Sequence, residues 1–404
     1  MDILFSTSDR LIRSTDMRFQ RSLMDRIDWS QRLIEIRGSR GVGKTTLMIQ
    51  RAGMLQRQGL KVLYASLDTP HFFNNSIVDL AEYLNNYGIT HLFLDEVHRY
   101  PSKHIQSDWA LEIKNVYDTF PDLKVVYSGS SILQLYKGKG DLSRRKAGYL
   151  MPGLSFREYL ALQGIADLDP VGLPRILAEH VDLSHSVIRH IKPIPHFMDY
   201  LTHGYYPFFS GDIGVYQSRI RDVVSLIIDT DLPYVASVSP SAREQLKRML
   251  GAISTTVPYV PNLRRLAEMM HITDHRTLLK YLHLLEEAAL VTLLRSDAKG
   301  NKILQKPDKI YLNNTNLSRA LGLSESDAGT ERETFFLSQA SMAGQVRYPK
   351  EGDFLVDNEI VFEIGGKRKS GRQLRGDKHA YIAADDIETG FASKIPLWLF
   401  GFLY

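Results

Sequence analysis

The sequence predicts an α/β chain: a parallel sheet with helices on both faces, then a helical region, three helices with a hairpin, and a small α+β end domain. Three observations lead there. Between Leu33 and about Leu150, short apolar runs alternate with helical stretches. From Ser241 to Asp297 the pattern becomes three helical stripes followed by strand-like pieces. From Glu331 onward a helix precedes short alternating strands. At 404 residues the chain has room for two or three domains. Its 44% hydrophobic and 24% charged residues are ordinary globular usage, enough to bury large cores.

The apolar runs are Leu33–Ile36, Lys61–Asp68, His91–Glu96 and Leu123–Ser131. Runs this short, separated by amphipathic segments, suit strands buried on both faces of a parallel sheet. The Leu-, Tyr- and His-rich region that follows is cut into short helices by Pro193, Pro195, Pro207 and Pro233, and ends near Pro240. Next, Ser241–Ser254 reads as one helix, and Leu263, Leu266, Ala267 and Met270 form a second apolar stripe at helical spacing. Thr273 or Asp274 caps a third helix with Leu278, Leu282, Leu285 and Ala289 on one side. The strand-like Val291–Ser296, a turn at Lys299-Gly300-Asn301 and the strand Lys302–Gln305 complete a winged-helix pattern. Phe354–Asp357 and Ile360–Ile364 are the strands of the end domain.

Composition excludes several classes. A net charge of +4 over this length leaves any nucleic-acid surface to a local patch. Without cysteine there are no disulfides and no thiolate metal sites, which fits a reducing cytoplasm. The 13 histidines show no metal-ligand spacing such as H-E-x-x-H. The N-terminal stretch has scattered charges and no signal-peptide core. Ile395–Tyr404 is apolar but has about half of the roughly 20 residues a membrane span needs; it reads as a buried C-terminal strand. The expectation is a soluble, cytoplasmic protein with no membrane partner.

The segment Gly38-Ser39-Arg40-Gly41-Val42-Gly43-Lys44-Thr45 matches the phosphate-binding loop G-x-x-x-x-G-K-[ST] at every fixed position, between a strand and a helix that opens with Thr45 and Thr46. Gly41 and Gly43 let backbone N–H groups turn in around phosphates. Lys44 reaches the β- and γ-phosphates of ATP, and the Thr45 hydroxyl ligates Mg²⁺. The helix points its positive dipole end at the anion. These features alone fit a kinase, a GTPase or a transporter equally well.

His91–Glu96 narrows the choice. An apolar strand ends in two acids: Asp95 for the magnesium shell, Glu96 to orient or deprotonate an attacking water. A small-molecule kinase must exclude water, so an acid at position 96 favours hydrolysis. On the strand Leu123–Ser131, Ser128 or Ser130 is placed to contact the γ-phosphate or the water, and a plain polar strand end is the competing reading. Arg144 and Arg145 follow; either would neutralise charge on the transferred phosphoryl group, in cis or from a neighbouring subunit.

These segments and Met151–Leu160, with its LSFREYL stretch, occur in one order, and the sequence resembles the prokaryotic AAA+-like predicted ATPases. The C-terminal EIGGKRKSGRQL and DDIETGFASKIPLWLFGFLY resemble the same family, particularly members from Bacteroidetes, so the similarity spans essentially the whole chain. The resemblance implies an additional-strand P-loop ATPase domain (1–160), a helical lid (161–240), a winged helix (241–312) and an end domain similar to PD-(D/E)xK nucleases (313–404). It puts the Walker Lys and Thr on Lys44 and Thr45, the Walker B acids on Asp95 and Glu96, and an arginine finger on Arg144 or Arg145. A trans arginine makes a homo-oligomer or a protein partner useful.

Two further sites follow. The winged helix would lay Asp274–Leu290 in the major groove of double-stranded DNA, with Arg276, Lys280 and His283 on one face and Arg264 and Arg265 near phosphates. A solvated basic face is the plain alternative. A PD-(D/E)xK site needs an upstream acid, an Asp, and Glu-x-Lys on the next strand. Glu331 or Glu333, Asp353 and Glu363 fit, but Gly365 stands where the lysine belongs. Lys367 lies on the same face if the strand continues. The reading is then an ATPase that drives the C-terminal half, against an ATP-switched DNA-binding regulator or an ATP-regulated nuclease.

Overall fold

A computed structural model describes residues 1–101, 108–132, 141–236, 238–296, 305–322, 327–369 and 379–404. The chain forms two compact units: Met1–Pro152 with Leu226–Val238, and Gly153–Ser225 with Ser239–Tyr404.

The first unit is built on five parallel strands: β1 (Leu33–Gly38), β2 (Val62–Ser66), β3 (His91–Asp95), β4 (Lys124–Ser130) and β5 (Ala147–Leu150). Their order is β2-β3-β4-β1-β5, so β4 lies between β1 and β3. This is the sheet of a P-loop NTPase of AAA+-like type. In parallel pairing Ile36 lies beside Ser128, Gly38 beside Ser130, and Ser66 beside Asp95. The carboxyl ends of β1, β3 and β4 therefore share one edge, where ligands of open parallel sheets bind. The four predicted strands are present; β5 was not foreseen, its Ala-Gly-Tyr-Leu being too short and mixed to read as a strand.

Why the sheet is buried is plain from its residues. Leu33, Leu63, Leu92, Leu94 and Val125 pack with Leu80, Leu84, Ile113 and Val116 of the helices Ile77–Asn86 and Trp109–Thr119. Each such side chain contributes about 1.5–3 kcal/mol on burial. The helix Ile77–Asn86 is started by a capping box, Ser76 and Asp79 each accepting from the other's backbone N–H. The N-terminal helix Asp2–Ser14 lies along β2, Ser8 Oγ accepting from Tyr64 N at 3.0 Å.

The second unit starts at Gly153, just ahead of the stretch LSFREYL. Ser155 caps the helix Phe156–Leu162 and donates to the Tyr404 carbonyl at 2.8 Å, which Arg157 Nε also reaches at 3.2 Å. Phe156 packs on Phe197, Tyr200 and Phe402. This segment thus anchors Tyr404. Helices Leu173–Ile188, Pro193–His203 and Ile213–Leu226 follow. After Ser239 come helices Pro240–Ser254, Leu263–Met270 and His275–Glu287 and an antiparallel pair, β6 (Val291–Leu294) with β7 (Lys309–Leu312). The predicted turn at 299–301 and most of the strand expected at 302–305 lie outside the described residues; the strand paired to β6 is β7.

Helices Thr315–Leu321 and Ala328–Ala340 lead into a second sheet: β8 (Val346–Arg347), β9 (Phe354–Val356), β10 (Ile360–Gly365), β11 (Ala380–Ala384) and β12 (Lys394–Pro396), in the order β12-β11-β10-β9-β8. Strands β9 and β10 are antiparallel; β10, β11 and β12 run parallel. The apolar C-terminus is a strand only at Lys394–Pro396. Leu397–Phe402 is a buried 3₁₀ helix, packed on Phe336 and Phe362 through Phe400. Its burial was readable from composition; its backbone was decided by the aromatic core it enters. Among the described residues no helix is long and apolar enough to cross a membrane.

Candidate functional site

The phosphate loop leaves β1 at Gly38 and turns through Gly41 and Gly43 at φ 85° and 99°, left-handed values that glycine takes without strain. Lys44 then opens the helix Lys44–Arg57. Its ammonium is buried and donates to the carbonyls of Gly38 at 2.9 Å and Ser39 at 3.0 Å. Burial pulls the lysine below its usual range, opposed by the carboxylates of Glu96 and Asp95. Arg21 braces the loop, donating to the carbonyls of Val42 at 2.7 Å and Pro152 at 2.8 Å. No motif marks Arg21, because its partners are backbone atoms far away in sequence.

Asp95, buried at the end of β3, collects three hydroxyls. Thr45 Oγ1 donates to Oδ2 at 2.6 Å and Tyr64 Oη to the same oxygen at 2.7 Å, while Ser128 Oγ donates to Oδ1. Burial, and then Asp95, push the Tyr64 phenol well above its usual range, so it stays a donor. Oxygen donors converging on one carboxylate suit a hard cation held partly by phosphates. Among the described residues, no group of three His, Asp or Glu is placed to hold a metal by itself. Of the two serines foreseen on β4, Ser128 touches Asp95. Ser130 is buried at the strand end beside Gly38, its hydroxyl without a hydrogen-bond partner among the described residues. Tyr64 was missed; a tyrosine in an apolar strand carries no sequence signal until β2 and β3 pair.

Glu96 sits at φ 53°, a left-handed value uncommon for a residue with a side chain. It opens the tight turn Val97–Arg99, and its carboxylate faces Arg40 Nη1 at 3.6 Å and His98 Nε2 at 3.4 Å. Strain of this kind gathers at functional sites. His98 is fully buried in this charge cluster. A third carboxylate, Asp231, reaches it from the segment Leu226–Val238. Thr46 is exposed on the first helical turn.

The predicted arginine pair lies elsewhere in the unit. Arg145 grips Asp118 through Nε and Nη2, both at 3.0 Å, at the end of the helix Trp109–Thr119, and Arg144 is exposed. Among the described residues, no hydrogen bond or ion pair joins either to Lys44, Asp95 or Glu96.

In the second unit the structure corrects one residue. Strand β10 ends at Gly365, and a turn with Lys369 N donating to Gly366 O at 3.0 Å swings Lys367 out to Asp386 at 2.8 Å. Lys369 folds back instead, its Nζ 2.9 Å from Glu363 Oε1. Gly365 makes the room: a Cβ there would meet Lys369 Cγ at 2.8 Å. Asp353 Oδ2 accepts from Ile364 N at 2.7 Å. Of the two upstream acids, Glu331 is tied to Arg319 at 2.6 Å. Glu333 accepts from Tyr311 Oη at 2.6 Å, and burial raises it above the usual carboxylate range. On the helix His275–Glu287, Arg276 and Lys280 are exposed, whereas His283 faces Glu286 and Glu287, each at 3.7 Å.

Residues 30–160 match the family model described as an AAA domain. Those residues form an AAA-type domain on a P-loop fold. Residues 194–327 match a domain of unknown function. No curated protein is similar enough to match. Among solved structures, the Walker-type ATPase PABY2304 of Pyrococcus abyssi is 14% identical, with 77% of this chain and 99% of that one covered, at a TM-score of 0.43. AMPPCP-bound DnaA from Aquifex aeolicus is 16% identical over 70% of this chain and 87% of that one, at 0.28. The RuvB Holliday junction branch migration motor of Thermotoga maritima is 16% identical over 74% and 90%, at 0.26.

Proposed function

We propose that the chain is a Mg²⁺-dependent ATP hydrolase whose nucleotide cycle controls its C-terminal half. One observation carries this reading: Lys44, Thr45, Asp95 and Glu96 meet at the carboxyl edge of the sheet, with three hydroxyls on Asp95. The backbone of Gly38–Thr46 cradles the phosphates. Lys44 gives up the carbonyls of Gly38 and Ser39 for the β- and γ-phosphate oxygens. Thr45 Oγ1 and Asp95 would hold Mg²⁺, which neutralises phosphate charge when bound. Glu96 orients the attacking water and takes its proton, and Ser128 and Ser130 line the adjoining strand end. Water attacks the γ-phosphorus, the bond to the β–γ bridging oxygen breaks, and ADP and phosphate leave. Arg144 and Arg145 then serve only in trans, on the nucleotide of a neighbouring copy.

The C-terminal half is read as a winged helix (241–312) and a nuclease-like end domain (313–404), behind a helical lid (161–240) that returns Leu226–Val238 to the ATPase unit (1–160). The exposed Arg276 and Lys280 favour double-stranded DNA as partner, and an ATP-switched DNA-binding regulator as the second reading. The test is steady-state ATP hydrolysis with and without duplex DNA for wild type, Lys44→Ala and Glu96→Gln. Turnover lost in both variants supports the hydrolase. Nucleotide bound without turnover in any condition leaves the switch. For the DNA partner, the slope of affinity against salt should fall by about one for each of Arg276→Ala and Lys280→Ala.

A further inference from the structure

One buried carboxylate gathers the cations that this hydrolysis scheme leaves unused. Asp231 has no exposed surface and ends the π-helical turn Ile227–Asp231. Arg99 Nη2 donates to its Oδ1 at 2.8 Å, and Arg40 Nη1 stands 3.5 Å from its Oδ2. The same two guanidinium groups flank Glu96: Arg40 Nη1 lies 3.6 Å and Arg99 Nε 3.9 Å from Oε2. They come from different elements, Arg40 from the phosphate loop and Arg99 from the turn after β3. Their side chains are only 19% and 18% exposed. Two guanidinium groups this far from water need a carboxylate held in place, and Asp231 is that carboxylate. Burial alone would raise its pKa; His98, Arg40 and Arg99 hold it below the usual range.

The pairing is incomplete in an informative way. Among the described residues, Arg99 Nε is a buried donor without a hydrogen-bond acceptor, and Glu96 Oε2 a buried acceptor without a donor. Arg40 stands at ion-pair distance from both carboxylates, farther than a good hydrogen bond. Arg40 and Asp231, with Asp95 and Glu96, act electrostatically on the Lys44 ammonium, the group assigned to the β- and γ-phosphates. An oxyanion there would accept from Arg99 and Arg40 while a water donated to Glu96.

We propose that Arg40 and Arg99 are the arginines that meet the γ-phosphate, in cis, and that Asp231 is the positioning residue that holds both. This rests on the ATP-site reading above. It makes the segment Leu226–Val238 part of the nucleotide site, although it lies more than 120 residues beyond Glu96 in the chain.

The experiment is calorimetric binding of MgAMPPNP and of MgADP to the full chain, with turnover measured alongside. Arg40→Ala and Arg99→Ala should each weaken MgAMPPNP about tenfold and leave MgADP within about twofold, since only the triphosphate offers the γ-oxygens. Asp231→Asn keeps the shape and removes the charge; it should lower kcat about tenfold with MgADP affinity unchanged. Arg40→Lys and Arg99→Lys keep the charge in a fold close to native and should still lose much of the discrimination, because an ammonium lacks the planar fork. Equal loss of both nucleotides, or of neither, overturns the proposal, as does wild-type kcat in Asp231→Asn. A wild-type chain that binds neither nucleotide overturns the ATP-site reading itself, and this proposal with it.

Discussion

Two acidic sites, one in each unit, invite comparison because each brings an Asp and a Glu near a Lys. At Asp95 three hydroxyls, from Thr45, Tyr64 and Ser128, donate beside the Glu96 backbone N–H. Hydroxyls are neutral and rotate, so a cation can join the set without breaking a charge pair. At Asp353 one carboxylate oxygen accepts from the backbone of Ile364, and Glu363 is paired with Lys369. A carboxylate neutralised by an ammonium at 2.9 Å is less open to a metal. Similar residue types thus make a site poised for ligand and a site largely satisfied by itself.

The largest expected effect tests the first site directly. Lys44→Ala should lower kcat/KM for ATP by at least about a hundredfold, the scale of losing one charge-stabilising donor. Glu96→Gln should lower kcat by about 10²–10⁴-fold while nucleotide still binds, as expected for a lost general base. Activity surviving Glu96→Gln would move the base elsewhere.

The second site is tested by duplex DNA incubated with Mg²⁺. Substrate left intact keeps the contrast between the two sites. Cleavage abolished by Glu363→Gln and by Lys369→Met would erase it, and would make Lys369 the lysine of a working nuclease. ATP turnover of Asp353→Ala should match wild type in either case.

A smaller effect is expected at Tyr64. Tyr64→Phe removes one hydrogen bond to Asp95, worth about 1 kcal/mol, and should raise the Mg²⁺ needed for half-maximal turnover roughly fivefold. No change would mean that Thr45 and Ser128 set Asp95 without help.

The smallest concerns stability alone. Burial first, then Lys124 and Arg51, push His91 at the start of β3 down to about 4. An unfolded imidazole titrates near roughly 6.5, so the unfolded chain takes up the proton first. The contribution of neutral His91 is present above about 6.5 and is lost as pH falls towards 4. Thermal melts of wild type and His91→Asn should diverge at pH 7 and converge by about pH 4.5.

Much of the first unit was legible because its signals are local. The run Leu33–Ile36, the motif Gly38–Thr45 and the acids ending β3 each lie within a few residues, where strand burial, glycine turns and helix dipoles act. The C-terminal half was legible as helices and strands, with one misplaced lysine. Whether β10 ran on past Gly365 depended on the turn that Lys369 closes, and periodicity has no term for it.

The sequence by itself determined that this chain makes a parallel sheet with a phosphate loop and a paired acid, because those residue types owe their meaning to neighbours along the chain. Only the tertiary structure decided what surrounds them. Tyr64 reaches Asp95 through strand pairing, Arg145 is taken by Asp118, and Asp231 arrives from a segment 191 residues beyond Arg40. Charges that far apart in sequence find each other only when the fold buries them together, since burial makes an unpaired guanidinium or carboxylate too costly to leave alone.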